Sequence, residues 1–299
     1  MGILSSLPKQ EDSYESLMRS LGFYETYLNN LDTNATEGVI EGLGSMLIGL
    51  SDISMRLLMT LKTNVFFFYK SMKRSEIREY FEGHMASVKK TEALPYNNYM
   101  DMEVPVPAEM TARFMPAVEA VEQLYAALDI LNTIQAFNKV MTQVRKGVVR
   151  DEPNYGVDLI QLAQFNEIKM KKVNAAVATH NGNFAGEKSD KNIRLFKDVY
   201  SSMKEFADVR QKLISMEFHL QEVSTVLGTM QTANQTLNQV AVTLDKTKDV
   251  QTDFVKQLVV AVRNMASMID IYGTACQAQM ALEHNHVCVL ETIQNQLNK

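Results

Sequence analysis

The sequence predicts an all-α protein: an elongated helical bundle with a long C-terminal helical hairpin and coiled-coil-like packing. Three observations predict it. From Lys188 to Lys299 there is no proline, and the only glycines are Gly228 and Gly273. Over the same stretch apolar residues recur at alternating three- and four-residue steps, which lays one narrow stripe along a helix. All six prolines of the 299-residue chain lie at or before Pro153.

The first seam runs Phe196, Val199, Met203, Phe206, Val209, Leu213, Met216, Leu220, Val223, Leu227, Met230, Asn234, Leu237, Ala241, Leu244. The second runs Phe254, Leu258, Ala261, Met265, Met268, Tyr272, Ala275, Gln279, Leu282, His286, Val289, Ile293. Ser189 or Asp190 is placed to cap the first of these helices. Between the seams, Lys246 and Lys248 suit a helix C-terminus, while Asp249 and Asp253 suit a new N-terminus. That favours a hairpin. The competing reading is one continuous helix, since no Gly or Pro intervenes and the seam stays in phase through Thr247 and Gln251. Such a helix of ~105 residues would span ~160 Å. The hairpin is preferred because a 46% hydrophobic chain buries its apolar surface more easily that way. Asn234, Thr247, Gln251, Gln279 and His286 interrupt the seams, and buried polar groups at such positions can set register.

The last helix carries a second apolar row, which includes Val255, Val259, Val262, Ile269, Cys276, Met280, Val287 and Leu290. A hairpin alone cannot cover both rows. Val255, Val259, Val262, Ile269, Met280, Val287 and Leu290 are therefore the candidate interface residues. Residues 37–82 and 107–144 would cover part of the excess.

Upstream, the chain divides into an N-terminal helical region with an apolar helix (1–90), an extended proline- and tyrosine-containing linker (91–107), and the helical bundle (108–299) with its hairpin at 188–299. Met1–Ser6 matches the pattern for myristoylation of Gly2, although no polybasic second signal follows closely. The plain reading is a short N-terminal arm. A first helix is expected over about Asp12–Leu31. Residues 37–82 are the most apolar part, with Gly38-x-x-x-Gly42 near their start. Asp52, Arg56 and Lys62 interrupt them, so no ~20-residue uncharged span exists. Val65–Tyr69 is then followed by the basic turn Lys70–Arg78, either a solvated helix end or a membrane-surface element.

Pro95, Pro105 and Pro107 forbid a continuous helix through 91–107. The apolar residues there predict an extended segment lying along a helix or a neighbouring subunit. A helix follows Pro107 and runs to about Val144, with a kink or later start at Pro116. Arg145–Gly156 breaks it, another helix covers about Val157–Thr179, and His180–Gly186 forms a glycine-containing connector.

Composition excludes gross disorder, and a net charge of −5 disfavours generic nucleic-acid binding. The nineteen methionines suit irregular helix contacts. Cys276 and Cys288 would stand ~18 Å apart on one helix, which rules out a disulfide between them and fits a reducing compartment. No secretory signal stands at the N-terminus.

Among chemistry-bearing types, the dense cluster is Glu283-His284-Asn285-His286-Val287-Cys288. On one helix His284 and Cys288 share a face while His286 points ~200° away from His284, so the helix offers two ligands, not four. No catalytic, dinucleotide or phosphate-loop motif is present. No enzyme activity, cofactor or metal is expected.

The M-G-I-L-S-S-L start, the apolar-then-basic segment Leu61–Glu79, the tyrosine-rich linker and the Met-rich, Trp-free helical remainder together resemble virion structural proteins of large tailed bacteriophages. The likeness covers the whole chain in style and carries over no functional residue. It implies an assembly component of a phage particle, built in the bacterial cytoplasm and packed through helices against copies of itself or other virion proteins. The alternative is a helical protein held at a membrane surface by Val65–Arg78 or by its N-terminus.

Overall fold

The computed structural model describes residues 82–83, 86, 103–105, 113–150, 157–184, 192–194, 200–244 and 252–297. The expected helix at Asp12–Leu31, the apolar stretch from 37 to 81, the basic turn Lys70–Arg78 and the seam positions Phe196, Val199, Thr247 and Gln251 lie outside them. In chain order the described elements are β1 (Glu103–Pro105), α1 (Phe114–Leu128), α2 (Ile130–Arg150), α3 (Val157–Phe184), β2 (Asn192–Arg194), α4 (Met203–Leu244) and α5 (Thr252–Leu297). The fold is all-α, with one three-residue strand pairing as the β content among the described residues.

That pairing is antiparallel and sets Glu103 opposite Arg194. The proline-bounded linker is thus extended at 103–105, where its backbone pairs with β2. β2 also occupies residues expected to open the C-terminal helix.

The helix expected to follow Pro107 is not one element up to Val144. α1 starts at Phe114 and places Pro116 in its first turn, where the missing N–H has no intrahelical partner to lose. The helix then stops at Leu128 instead of continuing to Val144. Asp129 takes φ 37, a left-handed conformation that Asp tolerates better than most residues. The Thr133 hydroxyl donates to the carbonyls of Leu128 and Asp129 at 3.1 and 2.9 Å. Asn132 Nδ2 donates to Asp129 Oδ1 at 2.8 Å. The two Thr133 bonds occupy carbonyls that the interrupted helix leaves over.

α2 runs through Gly147 to Arg150, past the expected break at Arg145. An interior glycine costs a helix about 1 kcal/mol, and burial of Met141 and Val144 on the same helix offsets it. α3 begins at Val157 as expected and continues to Phe184, so His180–Asn183 is helical and not a connector. Asn183 Nδ2 donates to the Thr179 carbonyl at 2.8 Å and supports that last turn.

α4 begins at Met203, not at Ser189 or Asp190. The Ser202 hydroxyl accepts from the Glu205 amide at 3.1 Å, and the Glu205 carboxylate accepts from the Ser201 amide at 2.7 Å. This is a reciprocal N-terminal cap shifted by one residue at its second arm. α4 and α5 form the hairpin. The rings of Phe206 and His286 have centroids 5.3 Å apart. On one uninterrupted helix those residues would be ~120 Å apart, so the continuous reading is overturned.

The chain forms two compact units, neither of them a single stretch of sequence. The first comprises 1–70, 128–172 and 224–273; the second comprises 71–127, 173–223 and 274–299. The cuts at 90 and 107 expected from composition divide the chain differently, because the hairpin brings distant segments together.

In the first unit the core includes Ile134, Phe137 and Met141 of α2, Leu159 of α3, Met230 and Leu237 of α4, and Met265 and Met268 of α5. In the second it includes Val118 and Leu124 of α1, Val173 of α3, Leu213 and Val223 of α4, and Leu282 and Val289 of α5.

The second seam is buried at every described position from Phe254 to Val289. The first seam shifts in its second half. Val226, Ala233 and Val240 are buried, while Leu227 is only half-buried.

The second apolar row of α5 requires a correction. Val262, Ile269, Cys276, Val287 and Leu290 are buried within the chain itself, so they present no exposed contact patch. Met280 is half-buried, and the side chains of Val255 and Val259 lie outside the described residues. The physical reason is that α5 is apolar on more than one face, and such a helix is stable in the interior of a bundle rather than on its rim.

Candidate functional site

A helix buried on more than one face must find internal partners for its polar side chains. In the second unit α5 does so at two levels. At the first, Tyr125 of α1 donates its hydroxyl to Gln279 Oε1 at 2.8 Å, and Gln279 Nε2 donates to Glu283 Oε1 at 2.8 Å. Gln279 and Glu283 stand four residues apart, so one helical ridge carries both. His219 of α4 stacks on Tyr125, with centroids 3.9 Å apart and planes 15° from parallel.

At the second level, the Tyr200 hydroxyl and His286 Nδ1 share a hydrogen bond of 2.7 Å. Phe114 stacks on Tyr200 at 5.3 Å and meets His286 edge-on at 5.8 Å. Phe206 meets Tyr200 edge-on at 5.0 Å. Tyr200, Phe114 and His286 have no exposed surface. His286 Nε2 has no hydrogen-bond partner among the described residues.

Burial decides the protonation of these groups. It pushes the Glu283 carboxyl up to about 7, with the charge of Glu217 adding to the rise and the bond from Gln279 opposing it. It lowers His286 to about 3, with the positive field of Arg210 adding. It lowers His219 to about 4. It raises the Tyr200 hydroxyl well above the usual phenol range, and Glu205 adds to that rise. At neutral pH both histidines are neutral and Tyr200 holds its proton.

The first unit carries a smaller polar contact. Lys169 of α3 donates to Thr133 Oγ1 of α2 and lies 3.8 Å from the Asp129 carboxylate. Burial lowers the Lys169 ammonium, and the Asp129 charge opposes this. Asn138 of α2 accepts from the Thr236 hydroxyl of α4 at 3.2 Å.

No known family model matches the chain, and no curated protein or solved structure matches it.

The Glu283–Cys288 stretch supplies two ionisable residues whose side chains are described, Glu283 and His286. Glu283 is joined to Gln279 and His286 to Tyr200, so each serves a separate contact. Those of His284, Asn285 and Cys288 lie outside the described residues. No group of three or more metal-ligating side chains comes together among the described residues. None of the described helices is long and apolar enough to cross a membrane.

Chemically, each hydrogen bond between helices joins chain segments far apart in sequence. An enclosed neutral histidine and an enclosed carboxyl specify which helix faces which more readily than they meet a dissolved substrate. Sequence reasoning flagged Gln279 and His286 as breaks in a seam but did not supply Tyr125 and Tyr200 as their partners. The available signal was a seam otherwise apolar, interrupted by two polar residues seven positions apart on one face.

Proposed function

We propose that the chain is a structural assembly protein that packs through helices against copies of itself or other structural proteins. We further propose that it is a component of a tailed bacteriophage particle, assembled in the bacterial cytoplasm. The observation that carries the assembly reading is where large apolar side chains meet solvent. Ile160 and Ile168 of α3 are 46% and 61% exposed, and Phe218 and Val242 of α4 are 50% and 44% exposed. Ile160 and Ile168 stand within about a quarter turn of each other on their helix. The proposed contact positions are thus Ile160, Ile168 and Val242 in the first unit and, separately, Phe218 in the second, in place of the second row of α5. The polar contacts among α1, Tyr200, α4 and α5 support the same reading, since they spend ionisable groups on holding helices together.

Light scattering on the full chain over a wide concentration range tests this. Association that weakens in Ile168→Glu or Phe218→Glu, with helicity unchanged, supports it. A monodisperse particle of 33.8 kDa at every concentration, with no partner recovered from the native source, defeats it. The phage assignment rests on the resemblance of sequence style, and detection of the chain in purified particles by mass spectrometry tests that part separately.

A further inference from the structure

We propose that Glu283 is a proton-controlled lock on the second unit, held as the neutral acid when the helices are closed and loosening α5 from α1 and α4 when it ionises. Glu283 is 5% exposed. Among the described residues its carboxyl accepts one hydrogen bond, from the neutral amide of Gln279, whose own oxygen is already taken by Tyr125. No ion pair reaches it among the described residues. A buried carboxylate without a cation is strongly disfavoured and takes up a proton instead.

The charged groups around it reinforce that outcome. From α4, Glu217 presents a like charge. His219 of α4 stacks on Tyr125 and is held neutral. From α1, Tyr125 reaches it only through Gln279, and Glu122 is paired with Lys212 of α4. On α5 itself, His286 is held neutral one turn away. Arg210 of α4 directs its positive field at His286, and no salt bridge joins a cation to the Glu283 carboxylate among the described residues.

The folded form therefore keeps a proton that the unfolded chain, with an ordinary glutamate near 4.3, has released. Stability from this group is present at low pH and is lost as pH rises from about 4.5 to about 7. Over that window the folding equilibrium constant should fall up to about tenfold per pH unit, relative to a chain lacking the group.

The test is chemical unfolding of the full chain, wild type against Glu283→Gln, at intervals from pH 4.5 to 8, with hydrogen exchange read over α1 and the second half of α5. Glu283→Gln keeps the size and polarity of the side chain without the titration. The expected result is that the ratio of wild-type to variant folding constants falls across the window, with faster exchange in wild-type α5 above neutrality. A constant ratio overturns the proposal. Infrared difference spectroscopy on the folded wild-type chain gives an answer that does not depend on the variant folding. A protonated-carboxyl band persisting at pH 6 supports the lock, and its absence sinks it.

Discussion

The hydroxyl of Tyr200 and Nδ1 of His286 lie 2.7 Å apart in the interior, although 86 positions separate them in the chain. Tyr200 precedes α4 and His286 sits near the end of α5, so this bond ties the start of the hairpin to its finish. Neither side chain is exposed, and each protects the other from an unmade hydrogen bond.

Replacing Tyr200 with Phe should retain the stacking on Phe114 and remove only that bond. His286 Nδ1 would then be buried without its present partner, as Nε2 already is among the described residues. The expected cost is ~1–3 kcal/mol, measured by urea unfolding of the full chain.

His286 should also make the fold acid-sensitive. Its folded pKa is about 3, below the ordinary histidine value near 6.5. Between those values the unfolded chain holds the extra proton. The contribution is therefore complete above about pH 6.5 and is lost as pH falls toward 3, by up to about 1.4 kcal/mol per pH unit. His286→Gln should flatten this limb of the stability profile. Its slope has the opposite sign to that of Glu283, so single variants separate the two. An unaltered profile in His286→Gln would show that the ring is not buried as described.

The shift of the first seam gives a packing test. Val226 and Leu282 are buried, whereas Leu227 is half-buried. Val226→Asp and Leu282→Asp should each cost about 3 kcal/mol or more by burying an unpaired charge. Leu227→Asp should cost about 1 kcal/mol. Thermal unfolding followed by circular dichroism reads all three, and a reversed order of Val226 and Leu227 would refute the observed phase of α4.

The start of α4 depends on Ser202, which accepts from the Glu205 amide. Ser202→Ala should lower stability by ~1 kcal/mol, with hydrogen exchange accelerating first over the opening turn of α4. Ser189→Ala and Asp190→Ala, the caps suggested by sequence, should leave that turn unchanged.

The periodicity of Phe254 to Val289 by itself determined that this stretch is one helix and which face is buried, because a step of 3.6 residues is a local property of the chain. The start of α3 at Val157 was legible for the same kind of reason, as was the extended backbone of Glu103–Pro105. The sequence by itself also marked Gln279 and His286 as polar residues on an apolar seam. Only the tertiary structure decided what they touch, since Tyr125 and Tyr200 reach them from segments 154 and 86 positions away.

Tertiary structure likewise decided that the second row of α5 lies inside. A pattern reports that two faces are apolar, not whether a neighbouring helix or solvent covers the second. It decided the break at Asp129, where a left-handed residue and the Thr133 hydroxyl interrupt a periodicity that continues on both sides. Finally, it set the protonation of Glu283 and His286. Ionisation depends on the loss of water and on nearby charges, and both follow from the packing of distant segments rather than from local sequence.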